Sequence, residues 1–211
     1  MRTKGKKPQY WNEAKKYLKE SDPVISKIIR VQKNDTFLTC KHTTFQTFFK
    51  IVIGQQISIE AAASIERRII KKIKSITPKK LINIADRDLR ELGLSFRKIK
   101  YIKEIAEICV NDPRFFIDIK LLSDSEAIKS LSSLYGIGPW SAEMFLIFQL
   151  NRQNILPTGD IGLINSFCKN YQIDKKDFLI AVSKQKQIWE PYCTVATWYL
   201  WRDIDEDTVQ Y

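Results

Sequence analysis

The sequence predicts an all-α protein. Apolar residues recur three and four positions apart along most of the chain, the spacing that places side chains on one face of a helix. After the segment Leu134-Tyr135-Gly136-Ile137-Gly138, for example, Ala142, Phe145 and Leu146 follow at this spacing. Prolines and capping residues that typically begin helices also precede several of these runs.

In the first half of the chain, the periodicity predicts a series of short amphipathic helices. They cover residues 10–19, 23–29, 44–54, 58–73, 78–84 and 86–93. Pro78 suits the first turn of its helix, where a missing N–H group costs nothing. Residues 31–41 include β-prone side chains and predict a small strand or an extended link.

The second half continues the helical pattern, with no low-complexity linker. The predicted helices cover 98–110, 123–135, a run from the glycine segment to about residue 150, and 160–171, 175–185 and 192–203. Ser123 is followed by Glu126 three residues later, the spacing of a capping box.

The charge balance suggests a polyanionic partner. The chain has 35 lysines and arginines against 24 acidic residues, a formal net charge of +11. Nucleic acid is the commonest partner of so basic a protein. A lysine-rich surface with no binding role is the alternative at this stage. Part of the excess forms a cluster consisting of Arg67, Arg68, Lys71, Lys72 and Lys74.

The cysteine and histidine content argues against a metal centre. Four widely separated cysteines and a single histidine, His42, give neither zinc nor iron–sulfur ligand spacing. We therefore expect no zinc, no cluster and reduced thiols. No apolar run has the length of a membrane span, and the N-terminus lacks a signal sequence. The expectation is a cytoplasmic protein without a membrane partner, nucleoid-associated if prokaryotic.

The most informative stretch joins a glycine hairpin to an aspartate. Gly136 and Gly138 allow a sharp turn that leaves amide N–H groups exposed at the start of the next helix. Such a helix N-terminus attracts phosphate through its N–H groups and its dipole. The sequence LPTGD then ends at Asp160.

Four blocks of sequence are characteristic: IVIGQQISIEAAASI (51–65), LGLSFRKIKYI (92–102), LYGIGPWSAEMFLIF with LPTGDIGLI (134–164), and WEPYCTVATWYLWR (189–202). Together they resemble the helix–hairpin–helix DNA glycosylase superfamily, most closely its alkylation-repair branch of the 3-methyladenine DNA glycosylase II type.

The resemblance implies one glycosylase unit over residues 1–211, built from two helical lobes that flank a DNA- and base-binding cleft. Residues 45–150 would form the lobe with the hairpin, and 1–44 with 151–211 the lobe with the aspartate. It also implies a monomer that binds damaged double-stranded DNA and flips the damaged base. No organic cofactor is implied, although hairpin carbonyls in relatives hold a monovalent cation, here around residues 134–138.

Asp160 matches the essential aspartate of the superfamily. Cleavage of an N-glycosidic bond builds positive charge on the deoxyribose, which a nearby carboxylate stabilises. The carboxylate would also orient or deprotonate the attacking water. The alternative is that Asp160 only caps the helix that follows it, and the two roles are compatible.

Trp140 stands where bifunctional relatives carry a Schiff-base lysine. Without that amine the site has no nucleophile for strand cleavage, so the resemblance implies a monofunctional enzyme that leaves an abasic site. An aromatic ring here would also attract cationic N-alkylated purines. A tryptophan of the core is the alternative.

Further positions match the base pocket and the DNA-binding surface of relatives. The predicted pocket residues besides Trp140 are Met144, Gln55, Trp189 and Tyr192, and Gln56 falls on the wedge position that fills the gap left by a flipped base. The predicted phosphate-binding residues are Gly136, Ile137, Gly138, Trp140, Arg97 and Lys98. For the basic residues, a solvated surface is the alternative.

The expected function is therefore excision of N-methylated purines from duplex DNA during base excision repair. Excision of a deaminated or oxidised base on the same scaffold is a second possibility. A non-catalytic helix–hairpin–helix DNA-binding module is a third, although such a module has no use for the aspartate.

Overall fold

The computed structural model describes residues 7–32 and 37–204, and helices account for its regular structure, which confirms the predicted all-α class. The helices are α1 (Trp11–Ser21), α2 (Pro23–Val31), α3 (Thr44–Gly54), α4 (Ile59–Ile73), α5 (Pro78–Asn83), α6 (Asp86–Glu91), α7 (Phe96–Asn111), α8 (Pro113–Asp118), α9 (Asp124–Leu131), α10 (Pro139–Phe148), α11 (Ile161–Tyr171), α12 (Phe178–Trp189) and α13 (Cys193–Ile204). Two 3-10 turns, Ile119–Leu121 and Lys175–Asp177, precede α9 and α12.

The helix starts follow the local signals in the sequence. Pro78 lies in the first turn of α5, and Ser123 with Glu126 forms the predicted capping box at the start of α9. The helix α8 was not predicted, yet it has clear start signals, since Pro113 occupies its first turn and the Asp112 side chain accepts from the Phe115 N–H at 3.3 Å.

Two predicted segments differ in the structure. The helix expected to reach residue 135 ends at Leu131, because the N–H groups of Ser133 and Leu134 donate to carbonyls three residues back and begin the hairpin there. Within residues 31–41, positions 37–41 form no strand, and positions 33–36 lie outside the described residues.

The chain forms two compact units. Residues 42–150 form the first, which we call the hairpin unit. The described residues up to Lys41, together with those from Asn151, form the second, which we call the aspartate unit. None of the helices in the described ranges is long and apolar enough to cross a membrane.

The core of the hairpin unit is built around α3 and α10. The Phe48 and Phe145 rings stack with centroids 4.3 Å apart, and Phe116 lies against Phe48 at 5.3 Å. Almost every residue of α10 from Ser141 to Phe148 is buried. Because α10 is anchored so firmly, the hairpin that precedes it is held in place by the core.

The core of the aspartate unit is built around α13. Its residues from Cys193 to Trp201 are all buried. Trp11 of α1 meets Trp198 edge-on, with ring centroids 6.1 Å apart. At the start of α13, the Thr194 side chain donates to the Arg152 carbonyl at 2.7 Å and accepts from the Ile155 N–H at 2.9 Å. These bonds fasten the loop that leads to Asp160.

A buried carboxylate joins three helices of the same unit. Asp22, only 1% exposed, caps α2 by accepting from the N–H groups of Val24 and Ile25. Its other oxygen accepts from the Trp189 indole at 2.7 Å, the Gln185 amide at 2.6 Å and the Tyr171 hydroxyl at 2.5 Å. A buried charge is tolerated because so many donors satisfy it. Burial, and to a lesser extent the hydrogen bond to Asp22, raises the pKa of the Tyr171 phenol.

Candidate active site

The glycine hairpin lies between α9 and α10 in the hairpin unit. Gly138 is the N-cap of α10 and contributes no side-chain cap to it, while Pro139 occupies the first turn. The first N–H groups of a helix have no partner within the helix. This N-terminus therefore has the features of an anion-binding site.

The backbone and packing require glycine at one of the two hairpin positions but not at the other. Gly136 has a φ of +81°, and a Cβ there would lie 2.2 Å from the Tyr101 ring, so only glycine fits. Gly138 has a φ of −92°, and a Cβ there would meet nothing within 4 Å. The packing of the chain thus requires Gly136 but gives no reason for Gly138.

Ile137 does not serve as predicted. Its side chain is buried, and its N–H donates to the Leu134 carbonyl at 3.1 Å, which closes the turn. The predicted phosphate contact of Ile137 is therefore corrected to a structural role, and the predictions for Gly136, Gly138 and Trp140 stand.

Hairpin carbonyls suit the implied monovalent cation. The carbonyls of Leu134, Gly136 and Gly138 accept from Ile137, Gln55 and Ala142, respectively. A carbonyl oxygen has two lone pairs, so these bonds leave one on each oxygen, and the monovalent cation stays a prediction.

The turn between α3 and α4, residues 54–58, carries the predicted wedge, and we call it the wedge turn. Gln56 is exposed and adopts the left-handed conformation, with a φ of 57°. Such a φ is uncommon for a residue other than glycine and is kept only where neighbouring contacts hold the backbone. Ser58 ends the turn by capping α4, accepting from the Ala61 N–H at 3.2 Å.

The side chains of Gln55 and Lys98 make hydrogen bonds within the hairpin unit. The Gln55 side-chain amide donates to the Gly136 carbonyl and to the Ser141 hydroxyl, both at 3.0 Å. The Lys98 ammonium donates to the carbonyls of Ile53 at 2.8 Å and Gln55 at 2.7 Å. Partial burial lowers the pKa of Lys98. These bonds give both side chains a structural task, and the pocket role of Gln55 and the phosphate role of Lys98 stay predictions.

Arg97 is exposed at the start of α7, and its phosphate-binding role stays a prediction. Lys100 lies one turn along, with its ammonium 4.4 Å from the centroid of the Tyr135 ring on the hairpin. Tyr135 in turn meets Tyr101 edge-on at 5.0 Å. One basic side chain, Lys100, and one aromatic side chain, Tyr101, thus lie against the hairpin within its own unit.

Asp160 lies at the N-terminus of α11 in the aspartate unit and is half-buried. One carboxylate oxygen, Oδ1, accepts from the Leu163 N–H at 2.7 Å and from the Trp201 indole N–H at 2.8 Å. Both the capping role and a fixed carboxylate are therefore present. Two donors on one oxygen set the rotation of the carboxylate, the condition for electrostatic stabilisation at a defined point.

Gly162 makes room for this arrangement. A Cβ on Gly162 would lie 3.1 Å from Asp160 Oδ1 and 3.3 Å from Trp201 Cδ1. The absence of a side chain therefore lets the indole approach the carboxylate. Sequence reasoning missed both Trp201 and Gly162, although both lie inside the blocks that carry the resemblance.

The predicted pocket residues differ in burial. Trp140 is half-buried in the first turn of α10, whereas Met144, one turn along, is 1% exposed. Tyr192 is 7% exposed and meets Tyr17 edge-on at 5.5 Å. Burial, assisted by a hydrogen bond to Glu13, raises the pKa of the Tyr192 phenol. The pocket roles of Met144 and Tyr192 would need movement that exposes them, and they stay predictions.

Trp189 belongs to the core rather than to a pocket. It is fully buried, its ring meets Phe167 edge-on at 5.8 Å, and its N–H donates to Asp22. A side chain that is fully buried and whose N–H group is already hydrogen-bonded cannot contact a base. The predicted pocket role of Trp189 is therefore corrected.

Comparison with known proteins identifies the family. The sequence pattern of HhH-GPD superfamily base excision DNA repair proteins matches residues 49–191, more than half of the chain. The chain belongs to this superfamily. The match includes the wedge turn, the hairpin and Asp160, the parts that the resemblance singled out.

Relatives and solved structures agree with the assignment. DNA-3-methyladenine glycosylase 1 of Schizosaccharomyces pombe is 32% identical over 170 residues, covering 77% of this chain and 73% of the relative. A Bacillus subtilis relative, provisionally named as a DNA-3-methyladenine glycosylase, is 29% identical, and the chain spans 62% of its length.

Among structures, the S. pombe 3-methyladenine DNA glycosylase in complex with abasic DNA has a TM-score of 0.74 at 27% identity, covering 94% of this chain and 98% of that one. A Bacillus halodurans DNA-3-methyladenine glycosidase has a TM-score of 0.72 at 33% identity, covering 90% and 88%. These similarities confirm the helix–hairpin–helix glycosylase fold.

Proposed function

We propose that the protein is a monofunctional DNA glycosylase that releases N-alkylated purines from duplex DNA in base excision repair. The observation that carries the proposal is the carboxylate of Asp160, fixed through Oδ1 by the Leu163 N–H and the Trp201 indole. A DNA-binding module needs a hairpin but has no use for a carboxylate held in this way. Relatives named as DNA-3-methyladenine glycosylases supply the lesion class.

The proposed reaction is a hydrolysis. The bond between C1′ of the deoxyribose and the purine nitrogen breaks, and the base leaves with the bonding electron pair. The positive charge that develops on the sugar is stabilised by Asp160. Water then adds its oxygen to C1′, its proton passes to Asp160 or to solvent, and an abasic site results.

Excision of an N-alkylated purine needs no acid to protonate the leaving base. A purine methylated at N3 or N7 carries a positive charge, so it leaves as a neutral base and needs no added proton. The half-buried Trp140 would attract a cationic base through its ring face.

Duplex DNA is the proposed partner, bound by a monomer. The S. pombe relative was solved with abasic DNA, the product of such a reaction. In this chain the N-terminus of α10 offers amide N–H groups, and Gly138 leaves the space beside them open. Backbone contacts of this kind position a duplex without reading its sequence.

The test is base release from oligonucleotide duplexes that each carry one lesion. Duplexes with 3-methyladenine, 7-methylguanine, 1,N6-ethenoadenine, hypoxanthine, uracil and 8-oxoguanine are incubated with wild type and with Asp160→Asn. We expect release of the methylated purines by wild type, and a loss of about 100-fold or more in Asp160→Asn with DNA binding retained. Release of none of the six bases would favour the binding module, and full turnover by Asp160→Asn would remove Asp160 from the mechanism.

Monofunctional action is tested by borohydride reduction. A Schiff-base enzyme becomes covalently attached to its DNA under this treatment, whereas this protein should give intact abasic strands and no attached product. Attachment at wild-type Lys98 or another lysine, mapped by mass spectrometry, would show that an amine takes part.

A further inference from the structure

The hairpin and the wedge turn are joined by side-chain hydrogen bonds. The Gln55 amide reaches from the wedge turn to the Gly136 carbonyl and the Ser141 hydroxyl, across 81 and 86 positions of sequence. Both partners flank the N-terminus of α10. One uncharged side chain therefore connects the predicted wedge to the proposed phosphate site.

A third turn joins the same network. Lys98, in the first turn of α7, donates to the carbonyls of Ile53 and Gln55 at 2.8 and 2.7 Å. These carbonyls lie at the C-terminus of α3, where the last carbonyls have no partner within the helix. A lysine in this position satisfies them and complements the helix dipole.

These hydrogen bonds lie directly beside Gln56, the strained residue of the wedge turn. Gln56 keeps its φ of 57° directly after Gln55, whose carbonyl accepts from Lys98 and whose side chain donates to the hairpin. Gln56 itself remains exposed. The bonds thus hold the backbone of the turn and leave its tip available.

We propose that Gln55 and Lys98 are positioning residues that lock the wedge turn to the hairpin, so that the grip on the DNA backbone and the insertion of Gln56 occur in one fixed geometry. Neither residue needs to touch the DNA. The proposal rests on the proposed function, since it assigns the wedge turn to a duplex in which one base has been flipped out of the stack. It differs from the phosphate-binding role that the basic character of Lys98 suggests.

The experiment uses a duplex that contains a tetrahydrofuran abasic-site analogue with 2-aminopurine opposite it. The fluorescence of 2-aminopurine reports whether the orphaned base is displaced by an inserted side chain. Binding is measured by anisotropy at several salt concentrations. The variants are Gln55→Met, which keeps the size but removes the donor, and Lys98→Met. Gln56→Ala and Arg97→Met are the controls.

We expect both positioning variants to lose the 2-aminopurine response, as Gln56→Ala does, and to raise the Kd about 3- to 10-fold, the effect of one or two lost hydrogen bonds. Their slope of log K against log salt should stay that of wild type. Arg97→Met, which removes a phosphate partner, should lower that slope by about 1 and keep the fluorescence response.

A normal fluorescence response in Gln55→Met and Lys98→Met would overturn the proposal, and so would a reduced salt slope in Lys98→Met, which would make Lys98 a phosphate contact. Urea denaturation checks that each variant is folded. Should Lys98→Met fail to fold, Gln55→Met and Ser141→Ala decide. If wild type gave no anisotropy change with this duplex, it would not bind DNA, and the proposed function itself would be rejected. The two failures are therefore distinguishable.

Discussion

The Trp201 indole N–H donates to Oδ1 of Asp160 at 2.8 Å, and the two residues are 41 positions apart in the chain. Trp201 is buried on α13, the central helix of its unit. The orientation of the proposed catalytic carboxylate is therefore tied to the best-packed part of the aspartate unit. A carboxylate held this firmly loses little energy to reorientation as charge develops.

Trp201→Phe should slow base release while leaving DNA affinity unchanged. The substitution removes a hydrogen bond to a charged group, an effect of about 1.5–3 kcal/mol, which corresponds to a rate loss of about 10- to 100-fold. Single-turnover excision of 7-methylguanine measures it. Trp198→Phe is the matched control, because the Trp198 N–H is buried without a hydrogen-bond partner among the described residues. Equal losses in both variants would contradict a specific role for Trp201.

Gly162→Ala should reduce excision while the protein stays folded. The added Cβ would crowd Asp160 Oδ1 at 3.1 Å and Trp201 Cδ1 at 3.3 Å, forcing the two apart. Alanine also favours a helix over glycine by up to about 1 kcal/mol, which offsets part of the cost of this crowding, so the free energy of unfolding should fall by no more than about 2 kcal/mol. Gly159→Ala, where a Cβ would meet nothing within 4 Å, is the control and should keep full activity. Wild-type excision by Gly162→Ala would show that the carboxylate tolerates displacement.

Substitution of the two hairpin glycines should change different properties, the stability at Gly136 and the DNA affinity at Gly138. Gly136→Ala should lower the free energy of unfolding by about 3 kcal/mol, because it combines a positive φ with a collision against Tyr101. Gly138→Ala should change it by less than about 1 kcal/mol yet weaken DNA binding several-fold, since its methyl group would occupy the approach to the helix N-terminus. Urea denaturation and anisotropy provide the two measurements. Unchanged affinity in Gly138→Ala would place the phosphate elsewhere.

Trp140→Leu should slow the excision of positively charged bases more than the excision of neutral ones. The aromatic face attracts a cation by about 1 kcal/mol or more, and leucine keeps the apolar bulk without that attraction. We expect the excision rate of 7-methylguanine to fall several-fold further than that of 1,N6-ethenoadenine, with Trp140→Phe intermediate. Equal losses on both substrates would reduce Trp140 to a packing role.

Asp22→Asn should destabilise the aspartate unit. An amide in place of the carboxylate turns its N–H groups toward the donors of Tyr171, Gln185 or Trp189, a cost of about 3 kcal/mol for hydrogen bonds to a buried charge. The midpoint of urea denaturation measures the loss. Asp118→Asn, on an exposed position of α8, should leave it unchanged. A small effect at Asp22 would mean that the cluster rearranges around the amide.

The local signals in the sequence were sufficient for most of the helices, although not for α8 or for the end of α9. Helical periodicity, the capping box at Ser123 and the prolines at helix starts act within a few residues, so they are readable without a structure. Asp160 could be predicted as the catalytic residue because the block after the hairpin resembles that of the family, and its observed capping of α11 is a local interaction.

Only the tertiary structure decided which side chains hold these parts in place. Lys98 is basic and Gln55 lies beside a wedge, so sequence alone directed both toward DNA, whereas the fold directs them to carbonyls 43 to 81 positions away. Trp189 and Trp201 are both tryptophans of one aromatic block, yet one donates to Asp22 and the other to Asp160. The physical reason is that such hydrogen bonds depend on where two distant helices meet, and no local periodicity encodes that position.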